Sequence, residues 1–321
     1  MSVLVTGGLG YIGSHVARLL TSSGEKVIVV DNLSTGQLHR LGSATLLELD
    51  LAAADAVEKL KQTMVDNQVD RVIHFAARKQ VGESVEKPEW YFQQNVGGLV
   101  NLLTAMRELE IRQLVFSSSA ATYGMPDVES VSEDLACNPI NPYGQTKLVG
   151  EWLVHDAATA WGLRASNLRY FNVAGAGWPD LADTAVLNLI PIVFGAIQNG
   201  KKPIVFGADY PTADGTCIRD YVHVLDLAEA HLAALEYISK ADPQYTVFNV
   251  GTGMGSSVFE VLDGIKKVSG IDFEIEVAPR RAGDPPKLTA DVSRIQKVLG
   301  WKAQQSLQDI IESAWLAASH K

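Results

Sequence analysis

Only two cysteines, Cys137 and Cys217, occur in 321 residues, far apart and without CxxC or Cys/His spacing. That argues against a disulfide framework and a zinc site, and two free thiols suit a reducing compartment. No run of about 18 clean apolar residues exists. The longest candidate, Val186 to Ile197, is too short for a bilayer and carries Asn188 and Pro191. Basic charge is scarce: 27 Lys and Arg stand against 37 Asp and Glu, for a net charge of −10. A bulk electrostatic grip on nucleic acid or anionic lipid needs a basic face, so neither partner is expected. A small phosphate-bearing molecule remains open, because a few arginines and helix N-termini bind one locally. Met1-Ser2 leads straight into a strand-like run without a basic, cleavable leader, which predicts a cytoplasmic protein.

What is present is alternation. Short β-branched runs at Val3–Thr6, Lys26–Asp31, Val72–Ala76, Gln113–Ser118 and Ala165–Tyr170 are separated by helical stretches such as Ser14–Ser22, Asp55–Met64, Val96–Leu109 and Tyr143–Ala160. Strands this apolar, spaced by helices, predict a doubly wound α/β fold with a parallel sheet covered on both faces. After Asn172 the rhythm breaks at Gly175, Gly177 and Pro179. This predicts a first domain over residues 1–172 and a smaller α/β domain over 173–321, with crossing of the chain between them allowed. No internal repeat or low-complexity segment is visible.

The opening strand runs into Thr6-Gly7-Gly8-Leu9-Gly10-Tyr11-Ile12-Gly13 and then a helix from Ser14. Glycines in that context allow a tight turn and let a pyrophosphate approach N–H groups at the positive helix end. The spacing is G-x-x-G-x-x-G, and the pattern alone is a weak sign. The second strand strengthens it. Val27-Ile28-Val29-Val30 ends in Asp31, 18 residues after Gly13, where a carboxylate accepts from a ribose diol and repels a 2′-phosphate. NAD is therefore favoured over NADP. Asp50, after Leu46–Leu49, is placed to reach an adenine or to cap a helix.

Tyr143-Gly144-Gln145-Thr146-Lys147 puts a phenol and an ammonium on one helix face. Upstream, Phe116-Ser117-Ser118-Ser119 ends a strand, and open α/β sheets bind ligands at strand C-termini. A phenol is a poor base at neutral pH. A cation about 4 Å away contributes roughly 4 kcal/mol at an effective dielectric of ~20, before screening. On this arithmetic Lys147, together with a positive nicotinamide ring, brings Tyr143 to working pH.

These residues, with His74-Phe75-Ala76-Ala77 and the segment Phe116 to Gly124, resemble the extended short-chain dehydrogenase/reductase superfamily. Three further segments resemble its UDP-galactose 4-epimerases: Val81–Ser84, Tyr210–Val224 and Ala278–Asp284. The resemblance runs from Val3 to about Gly300-Trp301. It implies NAD contacts at Gly7, Gly10, Tyr11, Ile12, Gly13, Asp31, Asn32, Asp50 and Leu51, with Phe75, Ala76, Lys79, Asn95, Tyr143, Lys147 and Tyr170 lining the rest. For a UDP-sugar it implies Phe171, Asn172, Asn188, Leu189, Val205, Phe206, Arg219, Tyr221, Arg281 and Asp284. Arginine suits a pyrophosphate, since its fork meets two oxygens at once. The implied chemistry is transient oxidation at sugar C4, with Tyr143 as acid and base, Ser119 bonded to the same oxygen, and binding energy resting mainly on UDP. A homodimer, paired through the helices around Val96–Leu109 and Tyr143–Ala160, is implied as well.

Several departures from the family pattern stand out. Only 18 residues separate Asp31 from Asp50, so the adenine side is trimmed. Between Gly175 and Asn188 the chain lacks the acidic, His-containing insert common in the family. Leu288 falls where the family varies between a bulky aromatic and a small residue, which leaves tolerance of N-acetylated sugars open. Ala120 and Ala121 stand where nucleotide-sugar dehydratases carry an Asp-Glu pair, which argues against that reaction. Epimerisation of a UDP-N-acetylhexosamine, UDP-glucuronate or a UDP-pentose stays open. So does a nucleotide-sensing regulator on the same fold, although a sensor needs neither Tyr143 nor Lys147. The seven histidines, His15, His39, His74, His155, His223, His231 and His320, show no metal spacing. Core packing is expected for His74 and His223, and Lys201-Lys202 reads as a solvated charge run.

Overall fold

A computed structural model describes residues 2–240, 245–281 and 283–319. Ala282 and His320 lie outside the described residues. Up to residue 119 the elements are β1 (Ser2–Thr6), α1 (Tyr11–Ser22), β2 (Val27–Asp31), β3 (Thr45–Glu48), α2 (Ala56–Asp66), β4 (Val69–His74), α3 (Val81–Glu86), α4 (Pro88–Tyr91), α5 (Gly98–Glu108) and β5 (Gln113–Ser119). There follow α6 (Pro142–Trp161), β6 (Arg164–Tyr170), β7 (Asn172–Ala174), α7 (Leu189–Gln198), β8 (Ile204–Phe206), β9 (Ile218–His223) and α8 (Val224–Lys240). The chain ends with β10 (Tyr245–Val250), β11 (Gly255–Ser257), α9 (Val258–Ser269), β12 (Glu276–Ala278), β13 (Lys287–Leu288), α10 (Ser293–Leu299) and α11 (Leu307–Ser319).

These elements form two compact units. Met1–Gly124, Ala136–Arg169 and Ala228–Phe248 make the first; Met125–Leu135, Tyr170–Leu227 and Asn249–Lys321 make the second. The first holds a seven-stranded sheet in the order β3-β2-β1-β4-β5-β6-β10. From β3 to β5 every pairing is parallel. All five residues of β1 are buried, as a strand covered on both faces requires. Strand order reverses at β1, and the crevice beyond the ends of β1 and β4 is where such a sheet takes a ligand. Leu60 and Met64 of α2 join Leu102 and Met106 of α5, with Ile28 and Leu114 from the sheet, in one core.

Two helices of this unit prepare the site. The helix predicted over Val96–Leu109 begins as α5 only at Gly98, because Phe92–Gly97 wind as a wider π-helical turn. Such turns break the i→i−4 ladder and recur at functional sites. Here the turn holds Asn95, whose amide takes the Arg78 N–H at 2.7 Å and donates to the Arg78 carbonyl and to Thr146 Oγ1, each at 3.0 Å. Helix α6 starts where Asn141 accepts from the Gly144 N–H at 2.9 Å, with Pro142 in its first turn, and it ends at Gly162.

The second unit is built around β9, which pairs with β11, β13 and β7; β8 and β12 form a separate parallel pair. Its core gathers Ile190, Val193 and Phe194 of α7, Val261 and Ile265 of α9, and Ile310 and Ile311 of α11. Phe194 and Trp315 meet edge to face at 5.1 Å. His223 is buried, and its ring ties two helices to β9. Nδ1 accepts from the Leu225 N–H at the start of α8, and Nε2 reaches Ser313 Oγ on α11 at 2.9 Å. Lys202 pairs on the surface with Glu274. Among the described residues no helix is long and apolar enough to cross a membrane.

Candidate active site

At the exit of β1 the chain turns through Gly7, whose φ of 66° is the left-handed region that glycine tolerates. A Cβ on Gly13 would come within 2.3 Å of the Gly7 carbonyl oxygen, so the turn and α1 approach closer than any side chain allows. Helix α1 then begins at Tyr11 with no side-chain cap from Gly10, which leaves its first-turn N–H groups for an anion. Tyr11 and Gly13 are buried, while Gly10 and Ile12 are half-buried. Asp31, at the end of β2, accepts from the Leu9 N–H at 3.1 Å and the Leu33 N–H at 2.9 Å. Its two oxygens keep lone pairs for a ribose diol beyond these two bonds. Asn32 turns back to Ser34. Asp50 closes an Asx turn on the Ala52 N–H, and the Leu51 side chain belongs to the core. At the exit of β4, Phe75 is tilted against His231 at 4.6 Å, the Ala76 N–H donates to Thr6 Oγ1, and Lys79 is exposed. A close-packed glycine turn, an uncapped helix start and a strand-end carboxylate suit a dinucleotide such as NAD.

Tyr143 and Lys147 stand one turn apart on α6, against the end of β5. The Tyr143 phenol faces the Ser119 hydroxyl, whose polarity favours its ionised form. Lys147 is buried, and its Nζ donates to the Ser117 carbonyl at 2.7 Å and lies 5.3 Å from the centre of the Phe116 ring. The electrostatics differ from what proximity alone predicts. Burial pushes the phenol up, and the group pulling it down is Ser119. Lys147 is itself pulled down to about 7 by burial, against the opposing field of Glu151. The sequence supplies a charge four residues away but not the desolvation that weakens it. His74 bonds Thr6 Oγ1 through Nδ1 at 2.7 Å and stacks on Phe116, and burial, helped by Lys147, holds it down to about 3.

The residues matched to a UDP-sugar fall in the second unit, together with Tyr170. Arg219 donates through Nη1 to the Ile218 and Pro285 carbonyls and through Nη2 to Asp284 at 3.3 Å. Leu288 lies in register with Arg219 across the β13–β9 pair, and Asn172 with Tyr221 across β7–β9. Leu189, Val205 and Tyr221 share one apolar cluster, in which the Val205 side chain is buried. Phe171 is buried, with its N–H on the Val250 carbonyl, and Asn188 donates to Asp183 at 3.1 Å. The two neighbouring arginines part company. Arg280 pairs with Asp209 and stacks on Tyr210, whereas Arg281 sits 3.8 Å over the Phe206 ring. Among the described residues, Arg281 has no carboxylate partner.

Among the buried charges that escape a reading by motif are Glu151, Arg169 and Asp220. Asp220 stands between Arg219 and Tyr221 and accepts from the Thr252 N–H and hydroxyl, the Gly253 N–H and the Ala290 N–H. It thereby fixes the strand that carries both neighbours. For Glu151 a signal exists in the sequence, since it follows Lys147 by the same four residues that separate Lys147 from Tyr143.

The family model for the NAD dependent epimerase/dehydratase family matches residues 3–251. A UDP-glucose 4-epimerase of Corynebacterium glutamicum is 44% identical over 99% of this chain and 96% of its own. The crystal structure of UDP-glucose 4-epimerase from Brucella ovis in complex with NAD superposes with a TM-score of 0.93 at 43% identity, covering 99% of this chain and 98% of that one. That of UDP-glucose 4-epimerase from Stenotrophomonas maltophila, with bound NAD and formylated UDP-arabinopyranose, gives 0.94 at 37% identity, covering 100% and 98%. With motifs, sheet order and full-length identity in agreement, this chain belongs to the NAD dependent epimerase/dehydratase family, among its UDP-glucose 4-epimerases.

Proposed function

We propose that the protein interconverts UDP-galactose and UDP-glucose by transient oxidation at C4, with Tyr143 as the acid and base. The observation that carries this reading is the buried Lys147, held on the Ser117 carbonyl one turn from Tyr143, where α6 meets the Ser119 end of β5 at the C-terminal edge of the sheet. NAD, when bound, would supply the reversible hydride acceptor that oxidation at C4 needs. The glycine turn and the start of α1 would hold its pyrophosphate, and Asp31 its ribose. Tyr143 takes the proton of the 4-hydroxyl and gives it back, while Ser119 steadies the same oxygen and favours the phenolate, and Lys147 in its charged form would add to that. Arg219, oriented by Asp284, and Arg281 supply the positive charge that a UDP diphosphate needs.

The test needs no added nucleotide. Purified protein incubated with UDP-galactose should form UDP-glucose, and its denatured supernatant should contain NAD. Tyr143→Phe should lower turnover by at least about 100-fold with UDP binding kept, since only the proton-transfer group is lost. Near wild-type turnover in that variant, or NADP in the supernatant, would refute the assignment.

The same reading makes the protein a cytoplasmic enzyme of galactose metabolism and a homodimer. Support for the dimer comes from Val100 on α5 and Trp152 on α6, large apolar side chains left exposed on the helices implied to pair.

A further inference from the structure

The row that begins with Tyr143 and Lys147 continues. One turn on, Glu151 lies on the same face of α6, and the residue is 1% exposed. It accepts from Arg169 Nε at 2.8 Å and Nη2 at 2.5 Å, and from the Ser118 hydroxyl. Arg169 Nη1 in turn bonds Tyr123 Oη at 3.0 Å. Two consecutive residues of β5 are thus tied by hydrogen bonds to two successive turns of α6, Ser117 to Lys147 and Ser118 to Glu151, beside Ser119 and Tyr143. A buried ion pair is costly to desolvate, and apolar side chains often replace one without loss of stability. Packing alone therefore does not account for this one.

Its charge has a use. Burial lowers the proton affinity of Lys147, and the carboxylate of Glu151 opposes that effect. No other described group near Lys147 does so: His74 on β4 is held neutral by burial, β5 offers hydroxyls, carbonyls and the Phe116 ring, and Tyr143 shares the α6 face. Arg169, Tyr123, Cys137, Tyr245 and His155 gather about Glu151. We propose that Glu151 is a positioning residue for the reaction: clamped by Arg169 and Ser118, its carboxylate keeps Lys147 charged and seated behind Tyr143. The proposal rests on the roles given above to Tyr143 and Lys147.

Glu151→Gln removes the charge and keeps the shape. Without the carboxylate the ammonium gives up its proton at lower pH. The alkaline limb of kcat for UDP-galactose should therefore move down by about one pH unit, with KM unchanged. In protein carrying 13C-lysine, the Lys147 Cε resonance, assigned by its loss in Lys147→Arg, should titrate lower by the same amount. Glu151→Asp retains the charge and should restore the limb toward wild type. If Glu151→Gln does not fold, Glu151→Gln/Arg169→Gln replaces the ion pair with an amide pair, and the same downward displacement is expected. An unmoved limb and an unmoved resonance in the folded variant would overturn the proposal. Turnover surviving in Tyr143→Phe would instead sink the reading of the active site, while the Lys147 titration would still decide the role of Glu151.

Discussion

At the scale of single residues, burial decides more than proximity. The spacing of Tyr143 and Lys147 is legible in the sequence, and so is the carboxylate at Asp31, because each depends only on local periodicity. The direction in which Tyr143 shifts is not, because desolvation depends on what the rest of the chain packs around it. Lys147 illustrates the cost. Its folded pKa of about 7 lies below the ordinary 10.5, so between those values the unfolded chain binds a proton that the folded one does not. Stability conferred on the fold therefore rises with pH through that window, and below about 7 the protein bears the full penalty of a buried ammonium. Lys147→Met, though inactive, should melt about 2 °C or more above wild type near pH 6, and the gap should narrow toward pH 10. Calorimetry across that range checks it; a variant less stable at pH 6 would contradict it. Leu288 is the other informative residue. It lies in register with Arg219 and is smaller than an aromatic, so Leu288→Tyr should depress turnover of UDP-N-acetylgalactosamine more than of UDP-galactose, by ~1–3 kcal/mol. Equal loss on both substrates would show that this position does not gate the sugar.

At the scale of elements, strands are the easier half to read. Runs such as Val27–Val30 are apolar at every position because both faces of the sheet are covered, and that pattern survives in one dimension. The π-helical turn at Phe92–Gly97 is not legible, since the same residues also suit an ordinary helix and the widening accompanies the bonds of Asn95 to Arg78 and Thr146, 17 and 51 residues away. The candidate site divides along the same line. Motif residues on the glycine turn and α6 announce themselves, whereas Asp220 and Glu151 act through partners brought in from elsewhere in the chain. The glycine turn also gives the element-scale prediction. Because a Cβ at residue 13 would lie 2.3 Å from the Gly7 oxygen, Gly13→Ala must push α1 off the turn. The purified variant should retain less than about a tenth of the wild-type NAD, a loss of roughly 1.4 kcal/mol or more in binding. Full occupancy, measured by absorbance after denaturation, would show that the close approach does not shape the cofactor site.

At the scale of the whole molecule, a net charge of −10 keeps copies soluble yet does not prevent an apolar face from pairing. Light scattering at micromolar concentration should report twice the monomer mass, and Trp152→Glu on the exposed face of α6 should shift the particle toward the monomer. A wild-type particle of monomer mass would refute the dimer. The course of the chain carries a different consequence. It enters the two units alternately, first, second, first, second, first, second, so that β10 joins the sheet of β1–β6 only after two of the three stretches of the second unit have been laid down. No single cut separates one unit from the other. A single recombination event upstream of β10 and within the first unit's span would give each offspring a first unit of mixed parentage, with the edge strand β10 from one ancestor on strands of another. Exchange of one whole unit by a single crossover is closed to such a chain, so a new specificity is reached more readily by substitutions within each unit than by swapping one of them.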